Sequence, residues 1–212
     1  AVAMFDWRGQ GHSSRRLRDP RKGYVRDFSD YEVDVETFVQ QLMLPDSPPP
    51  YFALAHSMGG AVMLRLAHAG KRWFDRMVLS APMIQLAGSR NSGFAKFAVR
   101  AMRYMGMGSA YVPSGSDAVI ATGPYIGNHL TSDPVRFART KAVLEAAPDL
   151  GIGSPTVAWL NAAYRAMNEF ADPAYPSKVR QPLMLVAAGR DDIVSTPAIE
   201  ELAIRLRAGS HL

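Results

Sequence analysis

The sequence predicts an α/β fold, a mostly parallel sheet flanked by helices with an inserted helical lid, and three observations carry that prediction. Short apolar runs alternate along the chain with amphipathic helical patterns. One of these runs, Phe52 to Ala55, delivers Ser57 into a turn of small residues from which a helical pattern departs. From about Ile84 to Met167 the helical patterns are broken only by Gly, Pro and Ser, with no convincing strand run. Parallel strands need helical crossovers, which accounts for the alternation, and an insertion after a sheet strand accounts for the strand-free stretch. The expected division is therefore 1–83 for the N-terminal part of the sheet core with the serine turn, 84–167 for the lid and 168–212 for the C-terminal part of the core.

Taken in order, Val2-Ala3-Met4-Phe5 is expected as a buried strand that ends at the glycine-marked turn Asp6-Trp7-Arg8-Gly9-Gln10-Gly11. A helix should start at Ser29 and Asp30, because Tyr31, Val35, Phe38, Val39 and Leu42 fall on one face before Pro45 and the Pro48-Pro49-Pro50 run stop it. A strand from Tyr51 to Ala55 follows. The helix after Ser57 should run through Val62, Leu64 and Leu66 to Gly70, and Met77-Val78-Leu79-Ser80 makes the next buried strand before Ala81-Pro82. In the lid, Phe94, Phe97, Ala98, Ala101 and Met102 repeat at helical spacing, and Asp133-Pro134 and Ser154-Pro155 each start a helix with proline at its first position. The sheet resumes at Leu183-Met184-Leu185-Val186-Ala187 and breaks at Ala188-Gly189-Arg190-Asp191-Asp192. Thr196-Pro197 then opens a helix with Ile199, Leu202, Ala203 and Leu206 inward, reaching Gly209.

Composition narrows the classes. At 212 residues, 48% hydrophobic and 20% charged, the chain has material for one substantial core. No run approaches the roughly 18 apolar residues of a spanning helix and no signal segment opens the chain. A cytoplasmic protein is expected, with attachment at the periphery of the inner membrane as the alternative. The absence of cysteine excludes a disulfide framework, thiol catalysis and cysteine-ligated zinc, and neither a cofactor nor a metal is implied. The net charge of +5 is concentrated in one loop holding Arg15, Arg16, Arg18, Arg21, Lys22 and Arg26. A solvated loop is the plain reading, and contact with an anionic membrane surface is the second. Nucleic acid is not an expected partner, since no aromatics interleave these charges and no binding module follows.

The chemistry centres on Ser57. A sharp strand-to-helix turn lifts a serine hydroxyl clear of the backbone only where small neighbours, here Ala55 and Gly59, permit it. At a helix N-terminus, the Met58 N–H would face a developing oxyanion, and the helix dipole favours that charge. An ordinary strand-turn-helix is the rival reading of the same five residues. A serine nucleophile also needs a histidine, and the histidine needs a carboxylate. Asp191, just past the carboxyl end of a strand, is the candidate acid, with Asp192 its rival. The histidine is harder. Of His12, His56, His68, His129 and His211, only His211 follows the acid, and a strand beginning there would place it at the sheet's amino edge, roughly 16 Å from Ser57. His56 reads as a residue that packs or supports the site from behind, and His68 as a partly buried or surface histidine of the helix. The chain is thus expected to end before its base, and to begin after the loop supplying a second oxyanion N–H.

These residues resemble the α/β-hydrolases of the bacterial lysophospholipase and monoacylglycerol lipase group, sometimes placed with serine aminopeptidases. Asp6-Trp7-Arg8-Gly9-Gln10-Gly11-His12-Ser13 is similar to that group's D-x-R-G-x-G-x-S turn, and Ala55-His56-Ser57-Met58-Gly59-Gly60 to its H-S-M-G-G elbow with Ala55 for the first glycine. Leu79-Ser80-Ala81-Pro82-Met83 and Gly189-Arg190-Asp191-Asp192-Ile193-Val194 fit as well, the latter favouring Asp191. The resemblance implies an esterase acting on a lysophospholipid or monoacylglycerol through an acyl-enzyme at Ser57. Thr131 to Pro134 and Pro155 to Trp159 lean toward the lysophospholipases. Met102, Met105 and Met107 would suit an acyl chain or serve as core filler. The alternatives are an aminopeptidase-like peptide hydrolase and a non-catalytic lipid-binding or interaction protein. Dehalogenase-like chemistry is disfavoured because it needs a carboxylate where Ser57 stands.

Overall fold

The computed structural model describes residues 1–88, 93–206 and 209–211. Four parallel strands, β1 (Phe52–His56), β2 (Arg76–Ser80), β3 (Leu183–Val186) and β4 (Gly209–His211), pair in sequence order. Their registers align one row across the sheet, Ala55 with Leu79, Leu79 with Leu185 and Leu185 with His211. The helices are α1 (Ser29–Phe38), α2 (Leu44–Asp46), α3 (Met58–His68), α4 (Gly93–Tyr104), α5 (Pro134–Ala146), α6 (Val157–Phe170), α7 (Tyr175–Lys178) and α8 (Thr196–Arg205). The chain divides into two compact units, one of residues 1–3, 31–93 and 164–212, the other of residues 4–30 and 94–163.

The first unit holds the sheet. The crossover helix α3 is buried on nearly every face, with Ala61, Val62 and Leu64 fully enclosed, and Leu79, Leu185, Ile199 and Leu202 complete the core. It stops where expected, at Gly70, whose φ of +79° closes a cap in which the Lys71 N–H donates to the Leu66 carbonyl at 3.0 Å. The helix from Ser29 forms, yet its buried stripe is Tyr31, Val35, Val39 and Met43, and Leu42 is exposed. A π-turn over Val39–Met43 causes the shift. Pro45 has no N–H and its ring crowds the carbonyl four residues back, so a wider turn accommodates it and the helix continues to Asp46 instead of stopping. The helix α8 is capped by the Ser195 side chain and keeps the expected inward face, but it ends at Arg205, so β4 starts at Gly209.

No strand forms at Val2–Phe5, where Val2 and Met4 are exposed. Strand structure consists of ladder bonds to a neighbour, and an apolar run alone supplies none. Among the described residues no strand pairs with the outer edge of β1, on which Phe52 and Leu54 are exposed.

The second unit is helical, with no strand among its described residues. Asp133 caps α5, its Oδ1 accepting from the N–H groups of Val135 and Arg136 at 2.8 and 3.2 Å. Helix α6 starts two residues later than Ser154-Pro155 suggested, because Pro155 is bridged to Gly23 and buried Thr156 does the capping, accepting from the Trp159 N–H at 3.3 Å. The same hydroxyl donates to the Gly23 carbonyl at 2.8 Å. Residues 4–30, assigned to the sheet core on sequence, pack in this unit. The Arg15 guanidinium donates to the carbonyls of Gly11, Ser13 and Pro20, and Arg21 to that of Gly151. Lys22 lies 5.1 Å from the centre of the Tyr111 ring. Arg16 Nη1 also lies 4.0 Å from Asp30 Oδ2, so four of the six basic residues of the loop are engaged within the structure, which the count of charges did not reveal.

Candidate active site

The turn between β1 and α3 places Ser57 at φ +50° and ψ −117°, outside every region an L-residue adopts without strain. Three backbone bonds hold it there. The Ser57 N–H donates to the Ser80 carbonyl at 3.0 Å, and the Ser57 carbonyl accepts from Ala61 at 3.1 Å and Met83 at 3.0 Å. Serine is a favoured N-cap, yet this side chain makes no capping bond to α3. Met58 is the first residue of α3, in the turn whose N–H groups face outward at the positive end of the helix.

Tight packing beneath the turn comes from Gly60, which the sequence reading quoted only as part of the elbow motif. A Cβ on Gly60 would stand 2.8 Å from the Pro82 Cβ and 3.1 Å from its Cα, so glycine is required for the helix to approach the segment leaving β2. Ala81, in that segment, has φ +41°, and its N–H donates to the Val186 carbonyl at 2.7 Å. Ser57 and Ala81 thus carry positive φ at the carboxyl ends of neighbouring strands. Nothing in an Ala-Pro pair announces this, since proline restrains the residue before it toward extended backbone.

Asp191 lies beyond the carboxyl end of β3, on the same edge of the sheet. Its Oδ1 accepts from the N–H groups of Ile193 and Val194, each at 2.8 Å. The loop is anchored by a short antiparallel pairing, with the Ala87 N–H donating to Ile193 at 2.9 Å and the Ser195 N–H to Gln85 at 2.8 Å around buried Val194. Asp191 is half-buried and Asp192 is exposed. Strand spacing separates β1 from β3 by about 10 Å, a gap that an imidazole with a hydrogen bond on each side can span.

Within this unit no described histidine occupies that gap. His56 is exposed, and its Nδ1 lies 3.1 Å from the Ser80 carbonyl. His68 is at the far end of α3, about 16 Å along its axis from Ser57. There it stacks on Tyr175 with ring centroids 4.0 Å apart, and burial, aided by Lys178, holds its pKa below the ordinary value. His211 is not at the amino edge, as expected from sequence. Because β4 begins at Gly209, His211 pairs with Leu185, level with Ala55 and near the carboxyl edge. It is still three strand spacings, about 14 Å, from β1. His12 and His129 belong to the helical unit, where His12 Nδ1 is 3.4 Å from Asp149.

A family model described as serine aminopeptidase, S33, matches residues 1–211. The chain belongs to this family. Among its relatives, lysophospholipase L2 of Escherichia coli strain K12 is 31% identical over 164 residues, which cover 75% of this chain and 46% of that protein. A Haemophilus influenzae protein named "Probable lysophospholipase L2" is 25% identical over 206 residues, 95% of this chain and 62% of its own length. The chain therefore spans about half the length of the curated relatives it matches. The crystal structure of Paleococcus ferrophilus monoacylglycerol lipase superimposes with a TM-score of 0.72 at 16% identity, over 98% of this chain and 70% of that one, and establishes the α/β-hydrolase fold.

Proposed function

We propose that the protein is a serine carboxylic-ester hydrolase acting on single-chain lipid esters, a lysophospholipid or a monoacylglycerol, through an acyl-enzyme at Ser57. The observation that carries this reading is the strained backbone of Ser57, held between β1 and α3 with its side chain withheld from helix capping. Strain of this kind costs about 1–3 kcal/mol and persists where the surrounding structure over-determines it. The lysophospholipase and monoacylglycerol lipase relatives support the choice of substrate class.

In the proposed reaction the Ser57 Oγ attacks the ester carbonyl carbon while its proton passes to a histidine, which Asp191 orients. The Met58 N–H donates to the oxyanion of the tetrahedral intermediate. Collapse releases the alcohol, which takes the proton from the histidine, and water then cleaves the acyl-enzyme by the same route. The base in this proposal is a histidine other than His56, His68 and His211. The protein is further proposed to be cytoplasmic and to meet an anionic membrane surface from the periphery. No helix among the described residues is long and apolar enough to cross a membrane. The family's description keeps peptide hydrolysis as a second reading. No Asp or Glu occurs from Arg76 to Ser116 to hold a substrate ammonium in that stretch, which favours lipid esters.

The test is a fluorophosphonate adduct on the full-length protein, mapped by peptide mass spectrometry, beside kcat/KM for a monoacylglycerol, a lysophospholipid and an alanyl amide. The adduct should sit on Ser57 and both esters should outrun the amide. Labelling that survives Ser57→Ala unchanged, or faster amide turnover, removes the proposal.

A further inference from the structure

Ser57 follows β1 and Asp191 follows β3, and β2 lies between the two strands. Both residues are nevertheless held by one stretch of chain, Ser80 to Ala87, which leaves β2. At its near end the Ser80 carbonyl accepts from the Ser57 N–H at 3.0 Å, and the Met83 N–H donates to the Ser57 carbonyl at 3.0 Å. At its other end the Gln85 carbonyl accepts from the Ser195 N–H at 2.8 Å, and the Ala87 N–H donates to the Ile193 carbonyl at 2.9 Å. Between these ends the stretch has little freedom. The Ala81 N–H is tied to the Val186 carbonyl and that of Ile84 to the Pro82 carbonyl, each at 2.7 Å, and Met83 and Ile84 are buried. Ile193 completes the connection, because the residue whose carbonyl takes the Ala87 bond also gives its own N–H to the Asp191 carboxylate at 2.8 Å. A bonded path thus runs from the Ser57 backbone to the Asp191 side chain.

We propose that Ser80 to Ala87 is the gauge that sets the acid at its working distance from the nucleophile, with Ala87 and Ile193 as positioning residues that act through Asp191. Catalytic groups have to be held to within about 0.5 Å, and a misplacement of about 1 Å costs on the order of 100-fold in rate. A histidine must meet the serine and the carboxylate at once, so what counts is the error between them. Tying both to one short, largely buried stretch keeps that error small. The pairing also has a fixed register, since Leu86 lies opposite Val194 and Val194 is buried. The acid loop has a second anchor at α8, where the Thr196 hydroxyl donates to the Ala188 carbonyl at 2.6 Å and Ser195 caps the helix. Cutting the first anchor should therefore shift the loop without unfolding it. The inference rests on the esterase reading above, because Ala87 and Ile193 act only through Asp191.

The experiment uses the full-length protein and Ala87→Pro, which deletes the donor to Ile193. Turnover of a monoacylglycerol should fall about 10- to 100-fold in kcat with KM nearly unchanged. A carboxylate raises the pKa of a histidine beside it, so moving Asp191 away should also lower the acidic limb of the kcat/KM profile by about half a unit to one unit. Val35→Ala, a cavity in the core under α1, should lower the melting temperature and leave that limb in place. Leu86 and Val194 form a non-hydrogen-bonded pair, whose Cα atoms typically stand about 4.5 Å apart, within disulfide range. Because the native sequence has no cysteine, Leu86→Cys/Val194→Cys added to Ala87→Pro should regain most of the lost kcat when oxidised and lose it again in dithiothreitol. Should Ala87→Pro not fold, lactate at position 87 removes the same N–H without the ring and carries the same expectations. Unchanged kcat and an unchanged limb in the folded variant overturn the gauge, and so does a loss of kcat that leaves the limb in place and that the disulfide does not restore. A fluorophosphonate adduct away from Ser57 in the wild type overturns the esterase reading and the gauge together, and that failure is recognisable because it needs no variant.

Discussion

Replacing Ser57 by glycine should yield a more stable protein than replacing it by alanine. Both variants lack the hydroxyl, so their difference isolates the backbone. At φ +50° and ψ −117° any Cβ is strained by about 1–3 kcal/mol, and only glycine escapes that cost. Against this, glycine loses about 0.5–1 kcal/mol more conformational entropy on folding. The balance favours Ser57→Gly by roughly 0.5–2 kcal/mol. For a chain of this length that is on the order of 1–8 °C in melting temperature. Urea unfolding followed by circular dichroism reads it as a higher midpoint at unchanged slope. The backbone bonds to Ser80, Ala61 and Met83 involve no Ser57 side-chain atom, so both variants retain them. Equal stabilities, or a more stable alanine variant, would show that the turn is unstrained and would remove the main support for Ser57 as the nucleophile.

Gly60→Ala should destabilise by about 1 kcal/mol, because the gain in helix propensity is outweighed by a methyl placed 2.8 Å from Pro82, whose backbone is also in the way; an unchanged urea midpoint would mean the two segments separate freely. In the full-length protein, on the proposed mechanism, Asp191→Asn should lower kcat by on the order of 10⁴, by analogy with other triads, and Asp192→Asn far less; the reverse order in an ester assay exchanges their roles. His68 has a folded pKa below its unfolded one, so its contribution to stability is complete above the unfolded value near 6.5 and is lost as pH falls through the folded one. Comparing His68→Gln with wild type from pH 7.5 downward should therefore show a shallower loss of stability in the variant, and parallel curves would refute the burial argument.

Residues close in sequence announced most of the fold. Strand runs, the small-residue turn at Ser57, the stop at Gly70 and the helix start at Asp133-Pro134 depend on neighbours within a few positions, which a linear reading sees. Asp191 was preferred to Asp192 on a motif alone, and the structural setting of Asp191 was not legible there. Asp191 is fixed by backbone N–H groups of a loop that Gln85 and Ala87, about 100 residues earlier, hold in place. The need for glycine at position 60 arises only when Pro82 arrives beside α3, and the positive φ of Ala81 only when three strand ends meet. Charge counting grouped six basic residues into one loop, yet it could not tell Arg15, bonded to four carbonyls, from exposed Arg18, because those acceptors are placed by the fold. His211 shows the same limit. A helix that ends at Arg205 instead of Gly209 shifts the strand start by two residues, which moved this histidine toward the opposite edge of the sheet. Local chemistry determined which elements form, and the long-range contacts of the fold decided their register, their strain and which polar groups are already in use.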